Sequence, residues 1–436
     1  MTDIATFDTS LPLFVQAVRD VLGSEALEAG QFLRDATGAL TFIVPSITDQ
    51  DASLLTAKVL ERLSPYADAT RGVVITADAM TEDDGAPSFL NVQVRVPDER
   101  QSRMVKLIDR RVVGQDWTRT PRRAWHAPEP ARVVFWSLKG GVGRTTALAV
   151  VGAHLARLGK KVLAMDLDLE APGLGSVLLG PNDRPPFGVL DWFVERALTT
   201  EVPFTADQLI GPVRLSEAAG LFHVAPAMGQ MAIDNPQHVV AKLGRAYLES
   251  MSKHGALETF LDKAEELSTF LLRQGEYDVL LVDARAGLNE ATAAAILGLG
   301  ADVLMFGNNT PQTFEGYRYA LSHLNGFPAT ATDDWRLRLK MVHARASASK
   351  AGRESFRDRA YDLFRECIYK EDADPFGDDF TFGIDDQDAP HAPWVVLDDE
   401  RFREFEPLEA SDLLTEKLVQ ATFGDLISGL MRRTDP

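Results

Sequence analysis

The residues with the clearest chemical potential form a glycine-rich octet, residues 139–146, with the sequence KGGVGRTT. It follows an apolar run, Val133–Leu138, and precedes a helical pattern, Ala147–Leu158. Strand, glycine loop and helix together favour phosphate binding, because glycines let the amides point inward and the helix N-terminus adds about half a positive charge. The predicted phosphate-binding residues are Gly140, Gly141, Val142, Gly143, Arg144, Thr145 and Thr146.

Two more apolar runs end in carboxylates. Residues 162–168 carry Asp166 and Asp168, and residues 277–283 end in Asp283. Because ligands bind at the carboxyl ends of parallel strands, we expect these side chains to lie beside the glycine loop. An alternative for Asp166 and Asp168 is that they only cap strand and loop. The predicted magnesium ligands are Thr145, Asp166 and Asp283.

The octet resembles the deviant Walker A motif of the ParA/MinD-like P-loop ATPases, and the resemblance covers residues 131–436. It implies ATP and Mg²⁺ as cofactors and an ATP-dependent homodimer, in which Lys139 reaches the partner's phosphates. Arg144 replaces the usual P-loop lysine, as in a KGGVGR-variant branch. Arginine keeps the charge and can bind phosphate bidentately, but its planar fork differs from an ammonium, so slow hydrolysis is expected.

The same resemblance assigns roles to residues outside the loop. It makes Lys139 and Asp168 the catalytic candidates, with Asp168 orienting the attacking water or coupling hydrolysis to movement. It also implies that the amide of Gly287 senses the γ-phosphate. Arg285 is either a charge sensor or a member of a surface ion pair, whereas Glu170 is expected to be a structural partner.

A pair of asparagines follows the next apolar run, Val303–Phe306. In the resembling family this edge holds the nucleotide base, and an asparagine amide offers both a donor and an acceptor to adenine. Asn308 and Asn309 could equally be turn residues. Base contact and turn formation are therefore both open for this pair.

From Val133 onward, short apolar runs alternate with helical patterns, which predicts an α/β fold: a parallel sheet with helices on both faces, as in P-loop NTPases. A helical insertion is expected at about 187–270. The other predicted strands are 337–342 and 394–397, and the predicted helices are 145–158, 289–299, 313–324, 352–366 and 411–431.

Prolines at 121, 128 and 130 interrupt regular structure just before this domain. They divide the chain into a small α+β accessory domain, 1–125, and the ATPase domain, 126–436. The predicted elements of the accessory domain are helices at 11–22 and 52–63 and strands at 40–44, 73–76 and 90–96.

The composition excludes several classes of protein. A formal net charge of −19 on 436 residues disfavours nonspecific nucleic-acid binding over the whole surface. No apolar run approaches the roughly 18 residues that a membrane span needs, and the 411–431 helix is expected to pack on the sheet rather than on a membrane. The single cysteine, Cys367, excludes an internal disulfide and favours a cytoplasmic location.

Two locally basic segments, 101–123 and 336–370, are candidate DNA-binding patches, although solvated faces are the favoured interpretation. The sequence as a whole favours a nucleotide-controlled dimeric switch that regulates a protein partner, with bacterial signalling or defence as the expected setting. A non-hydrolysing nucleotide-binding scaffold and a P-loop small-molecule kinase or ligase are the alternatives.

Overall fold

The computed structural model describes residues 5–70, 72–79, 89–97, 102–199, 201, 203–215, 218–252, 255, 257–330, 333–370, 379–409 and 411–434. The chain forms two units. The N-terminal unit comprises Met1–Thr120 and Gly326–Pro328, and the C-terminal unit comprises Pro121–Asn325 and Ala329–Pro436. The change of unit at Thr120 precedes the predicted boundary at 125, and the sequence did not indicate that Gly326–Pro328 joins the first unit.

The N-terminal unit is a mixed five-stranded sheet with two helices. The strand order is β3-β2-β1-β5-β4, with β1 parallel to β5 and antiparallel to β2. Phe14 of the first helix packs edge-on against Phe32 of the sheet, with ring centroids 5.4 Å apart. The elements are α1 (Phe7–Ala29), β1 (Gln31–Arg34), β2 (Leu40–Val44), α2 (Asp49–Leu63), β3 (Val74–Thr76), β4 (Leu90–Val94) and β5 (Arg103–Asp109).

Strands β1 and β5 were not predicted. Strand β1 has only four residues, and in β5 the buried Val105 and Leu107 alternate with exposed Met104 and Lys106. Such short alternating runs carry little periodic signal until a neighbouring strand buries one face.

The C-terminal unit contains ten strands and ten α-helices among its described residues. Its strands are β6 (Ala131–Ser137), β7 (Lys161–Asp166), β8 (Gly211–Pro212), β9 (Leu221–Ala225), β10 (Ser250–Met251), β11 (Leu257–Glu258), β12 (Val279–Asp283), β13 (Asp302–Gly307), β14 (Leu339–Ala346) and β15 (Trp394–Leu397). Its helices are α3 (Arg144–Arg157), α4 (Leu174–Leu178), α5 (Val189–Arg196), α6 (Gln230–Asp234), α7 (Val239–Ala246), α8 (Phe260–Gly275), α9 (Glu290–Ala293), α10 (Pro311–Leu324), α11 (Lys350–Cys367) and α12 (Glu416–Thr434).

Eight of these strands form one sheet in the order β15-β14-β13-β6-β12-β7-β9-β8. All neighbours are parallel except β8 and β9. Every residue of the central strand β12 is buried, as expected for a parallel sheet with both faces covered. The predicted α/β fold with a largely parallel sheet is confirmed.

The region 187–270 differs from the predicted helical insertion, because it also supplies strands. Strand β9 pairs in parallel with β7 and is part of the main sheet. Its five residues include the polar His223, so the run was too short and too mixed to indicate a core strand.

Helix α12 packs on β15 and α3 through buried residues that include Phe423, Leu426 and Leu430. Across the described ranges, no helix combines the length and apolar character needed to cross a bilayer.

Candidate functional site

The glycine loop connects the end of β6 to the start of α3. Gly141 and Gly143 have φ of 76° and 86°, in the left-handed region that favours glycine. A Cβ added at either position, or at Gly140, would meet no atom within 4 Å, so the loop borders open space. Val142 is buried, and Arg144, Thr145 and Thr146 form the first turn of α3. The loop therefore has the conformation and the free volume to receive a phosphate group.

The predicted carboxylates lie at one edge of the sheet. Asp166 ends β7 and Asp283 ends β12, and the two residues are register partners on adjacent parallel strands. Both are fully buried, and Asp168 is 7% exposed. The sheet thus gathers three acidic side chains where ligands of parallel sheets bind.

Arg144 connects the loop to two of these carboxylates. Its Nε donates to Asp283 Oδ1 at 2.5 Å and its Nη2 to Asp168 Oδ2 at 2.9 Å. Its Nη1 donates to Ser137 Oγ at 3.2 Å. Burial alone would lower the pKa of Arg144, but the charges of Asp283 and Asp168 raise it. All three guanidinium nitrogens therefore donate to protein groups, two of them to acidic side chains.

Thr145 and Asp283, two predicted magnesium ligands, are in direct contact, because Thr145 Oγ1 donates to Asp283 Oδ2 at 2.5 Å. In the described residues no three His, Cys, Asp or Glu side chains are grouped to hold a metal by themselves. Mg²⁺ typically combines one or two protein ligands with waters and substrate phosphates. A hydroxyl and a carboxylate beside the loop fit this kind of site.

Asp166, the third predicted ligand, is instead used to hold backbone. Its Oδ1 accepts from the amide of Asp168, and its Oδ2 accepts from the amides of Gly173 and Leu174, each at 3.1 Å. Burial, with the neighbouring Asp283, raises the pKa of Asp166 to about 8. These contacts match the capping alternative for Asp166 and anchor the segment after β7.

Glu170 connects this segment to the one after β12. Its Oε1 accepts from Arg285 Nη1 at 2.6 Å and from the Tyr247 hydroxyl at 2.8 Å. Arg285 is thus ion-paired in this structure, and Glu170 is its partner. Burial, followed by the Glu170 charge, raises the pKa of Tyr247. Sequence reasoning missed Tyr247, which lies just after α7, far from any motif.

Gly287 has φ of 93° and lies close to the loop. Its amide donates to the Ser137 carbonyl at 2.9 Å, and its carbonyl accepts from the Trp136 indole at 3.1 Å. In this structure the Gly287 amide is bonded within the protein, so sensing a γ-phosphate would require it to change partners. Ser137 was also missed, although it directly precedes the loop.

The two asparagines after β13 have different surroundings. Asn309 is bound to helix α11, donating to Ser355 Oγ at 3.2 Å and accepting from Arg359 Nη1 at 2.9 Å. Asn308 Oδ1 is buried and has no hydrogen-bond partner among the described residues. Of the pair, Asn308 therefore has the free acceptor that an adenine amino group would need.

Lys139 is exposed, and within the part of the chain that the structure describes its ammonium forms no ion pair. Its carbonyl accepts a hydrogen bond from Ser137 Oγ at 3.0 Å. The predicted site is therefore brought together around the loop, with Asn308 and Asn309 after β13, on the other side of β6 from β12.

Comparison with known proteins finds a family match for part of the C-terminal unit. Residues 133–305 match the family described as the CobQ/CobB/MinD/ParA nucleotide binding domain. This match confirms the ParA/MinD-like resemblance that the octet predicted.

Curated relatives are similar over short stretches. The septum site-determining protein MinD of Synechocystis is 48% identical over 59 residues, which cover 14% of this chain and 22% of that protein. The chloroplastic MinD homolog of Arabidopsis thaliana is 51% identical over 55 residues, covering 13% and 17%. The chain thus matches about a fifth of the length of these relatives.

Solved structures are similar over a larger share. The pNOB8 ParA bound to nonspecific DNA has a TM-score of 0.42 and 16% identity, covering 70% of this chain and 99% of its own. The cell division ATPase MinD of Pyrococcus furiosus has a TM-score of 0.40 and 18% identity, covering 70% and 99%.

Proposed function

We propose that this chain, whose residues 133–305 form a ParA/MinD-like nucleotide-binding domain, is an ATP- and Mg²⁺-dependent ATPase that acts as a dimerising switch. The observation that carries the proposal is the continuous network from the glycine loop through Arg144 to Asp283 and Asp168. It joins the group that would bind phosphate to the groups that would hold the metal and the attacking water.

In the proposed complex, the amides of residues 140–146 bind the phosphates and Asn308 Oδ1 accepts from the adenine amino group. Thr145 and Asp283 would hold Mg²⁺, which would supply positive charge to neutralise the phosphoryl oxygens. Asp168 positions the attacking water. Positioning and electrostatics of this kind carry most of phosphoryl-transfer catalysis.

Arg144 makes the binding of nucleotide and metal interdependent. Breaking a buried ion pair leaves an uncompensated charge, which costs about 3–5 kcal/mol. Bound phosphate oxygens would replace the carboxylates as partners of the Arg144 guanidinium, and Asp283 would then be free to hold Mg²⁺. Binding of each ligand would therefore offset the cost of breaking the ion pair. Asp168 is then released from Arg144, and we expect it to reach the water only in this state.

Glu170 is placed to report that change. It lies two residues after Asp168, and it is bonded to Arg285 after β12 and to Tyr247 after α7. Movement of the segment that contains Asp168 and Glu170 would therefore change the hydrogen bonds of Arg285 and Tyr247. We infer that the region around α7 is where a protein partner senses the nucleotide state.

Lys139 supports the dimer part of the proposal, because its exposed ammonium is available to a second protomer's phosphates. DNA is not the favoured partner of this acidic chain, and a cytoplasmic location stays a prediction.

The deciding experiment is analytical ultracentrifugation with ADP, ATP and a non-hydrolysable ATP analogue, run beside a phosphate-release assay. The proposal expects dimers with ATP and the analogue, monomers with ADP, and measurable phosphate release. An oligomeric state that is the same with ADP, ATP and the analogue would contradict the proposed switch.

A non-hydrolysing scaffold is the second candidate, because Arg144 forms ion pairs with both Asp168 and Asp283, the residues proposed to position water and to hold the metal. Tight ATP binding with no phosphate release in the same experiment would select it.

A further inference from the structure

The N-terminal unit contains a cavity of about 1040 Å³ that has no part in the proposed ATP site. Its walls come from the first turns of α1, from the end of β1 and from β4, β5 and the residues after β4. Most of the lining is apolar, with Leu11, Val94, Val96 and Leu107 among the wall residues. A pocket of this composition is typical of small-molecule sites when a few polar groups converge in it.

Arg34 is the polar group that lines this cavity from the end of β1. It is 92% buried, since 8% of its surface is exposed. None of the described residues forms a hydrogen bond or an ion pair with its guanidinium, and its Nε is a buried donor without a partner. An isolated buried cation is costly, so a bound anion would relieve it.

The carboxylate whose charge acts most strongly on Arg34 is bound to another arginine. Asp109 is the register partner of Arg34 on β5, but its Oδ2 accepts from Arg111 Nε at 2.9 Å and Nη2 at 2.6 Å. Burial lowers the pKa of Arg34, and the charge of Asp109 only partly opposes this. The positive charge in the cavity is therefore incompletely neutralised.

Three features of the cavity lining favour an anion. The Phe7 ring lies over the Arg34 guanidinium, 4.1 Å from its centroid, and fixes one face of its plane. Phe7 is also the first residue of the long helix α1, whose N-terminus adds positive potential. Arg95 is a second cation in the lining, against the single carboxylate of Asp8.

We propose that this cavity binds a small organic oxyanion, a carboxylate or a phosphate monoester, that carries an apolar body. Arg34 binds the oxyanion through its planar fork, and the aliphatic walls take the body. The exposed carboxylate of Asp8 at the cavity repels further negative charge, which disfavours polyanions such as nucleotides.

The test uses the full chain with saturating ADP, so that phosphate binding at the glycine loop does not contribute. Binding of 3-phenylpropionate, phenyl phosphate and inorganic phosphate is measured by calorimetry. Wild type should bind at least one of the two phenyl compounds saturably and inorganic phosphate more weakly. Whichever phenyl compound binds more tightly identifies the oxyanion, and either preference supports the proposal.

Arg34→Met should weaken that binding at least about tenfold, because a bidentate charge-assisted contact is lost. Since it removes an unpaired buried charge, it should not lower the unfolding free energy. Arg62→Met, at an exposed arginine outside the cavity, is the matched control and should bind like wild type. Val92→Trp, which fills the cavity and leaves Arg34 in place, should also abolish binding.

Three results would overturn the proposal: no saturable binding of either phenyl compound, equal affinity in wild type and Arg34→Met, or inorganic phosphate binding as tightly as the phenyl compounds. Because the cavity lies wholly in the N-terminal unit, none of them bears on the ATP switch.

Discussion

Arg144 and Arg34 are both buried, but opposite environments surround them. In the C-terminal unit, Arg144 is paired with Asp168 and Asp283, and these carboxylates raise its pKa. In the N-terminal unit, Arg34 has no ion pair among the described residues, and burial lowers its pKa. A ligand of Arg144 must therefore displace protein groups, whereas a ligand of Arg34 only adds a missing anion. The first arrangement suits a switch and the second suits a simple binding site.

The largest effect is expected from removing the carboxylate of Asp283, which pairs with Arg144. Asp283→Asn should reduce ATP turnover about a thousandfold, because a metal ligand is lost. It should also lower the unfolding free energy by about 3 kcal/mol, because Arg144 is left partly unpaired. Phosphate release and denaturant unfolding measure the two effects.

Asp302→Asn is the matched control for that variant. Asp302 is also a largely buried carboxylate, paired with Arg433 at 2.8 Å, but it lies at the opposite end of the sheet strands. Its loss should destabilise the fold and leave turnover per folded molecule intact. Near-normal hydrolysis by Asp283→Asn would show that the carboxylate paired with Arg144 has no role in ATP turnover.

A second effect concerns the other partner of Arg144. Asp168→Ala should cut turnover about a hundredfold, because the group that positions water is lost. It should not weaken nucleotide binding, because the ion pair with Arg144 that a phosphate would have to break is lost as well. Asp183→Ala, which breaks the ion pair with the exposed Arg214, should leave both quantities unchanged. An equal loss of binding and turnover would instead make Asp168 a structural residue or a metal ligand.

Lys139 offers a third contrast, because it is an exposed cation beside the buried Arg144. Lys139→Ala should weaken ATP-dependent dimerisation at least about tenfold, while each protomer still folds and binds nucleotide. Sedimentation at several protein concentrations measures the change. Lys350→Ala, at another exposed lysine, should dimerise normally. If Lys139→Ala dimerises as wild type does, the lysine does not act across the interface.

The smallest effect is expected at Tyr247, which connects Glu170 to the region around α7. Tyr247→Phe removes one hydrogen bond, so the ATP-induced change in amide exchange of α7 should shrink about threefold. Tyr319→Phe, at an exposed tyrosine, is the control. An unaltered exchange response in Tyr247→Phe would show that the nucleotide state reaches α7 by another route.

The loop and the carboxylates could be predicted because strand, glycine loop and helix are local in sequence. The ion pairs of Arg144 could not be predicted, because Asp283 lies 139 residues away in sequence and meets Arg144 only through the order of the strands. Glu170, Arg285 and Tyr247 meet for the same reason only after folding.

The burial of Arg34 could not be predicted from the sequence for a different reason. It ends a four-residue strand, and its burial depends on β5, an alternating strand that periodicity did not indicate. Charged residues are rarely buried unpaired, so composition alone places such an arginine on the surface.

The most direct test of the proposed switch is a substitution of Arg144, the residue that departs from the ParA/MinD-like motif. Calorimetry gives ATP affinity, and a phosphate-release assay gives turnover, for wild type and Arg144→Lys at equal magnesium. If the site is built around arginine, Arg144→Lys should weaken ATP binding about tenfold, because lysine cannot reproduce the bidentate contacts with phosphate. Unchanged affinity with faster phosphate release would contradict this account and would make Arg144 a dispensable substitute for lysine.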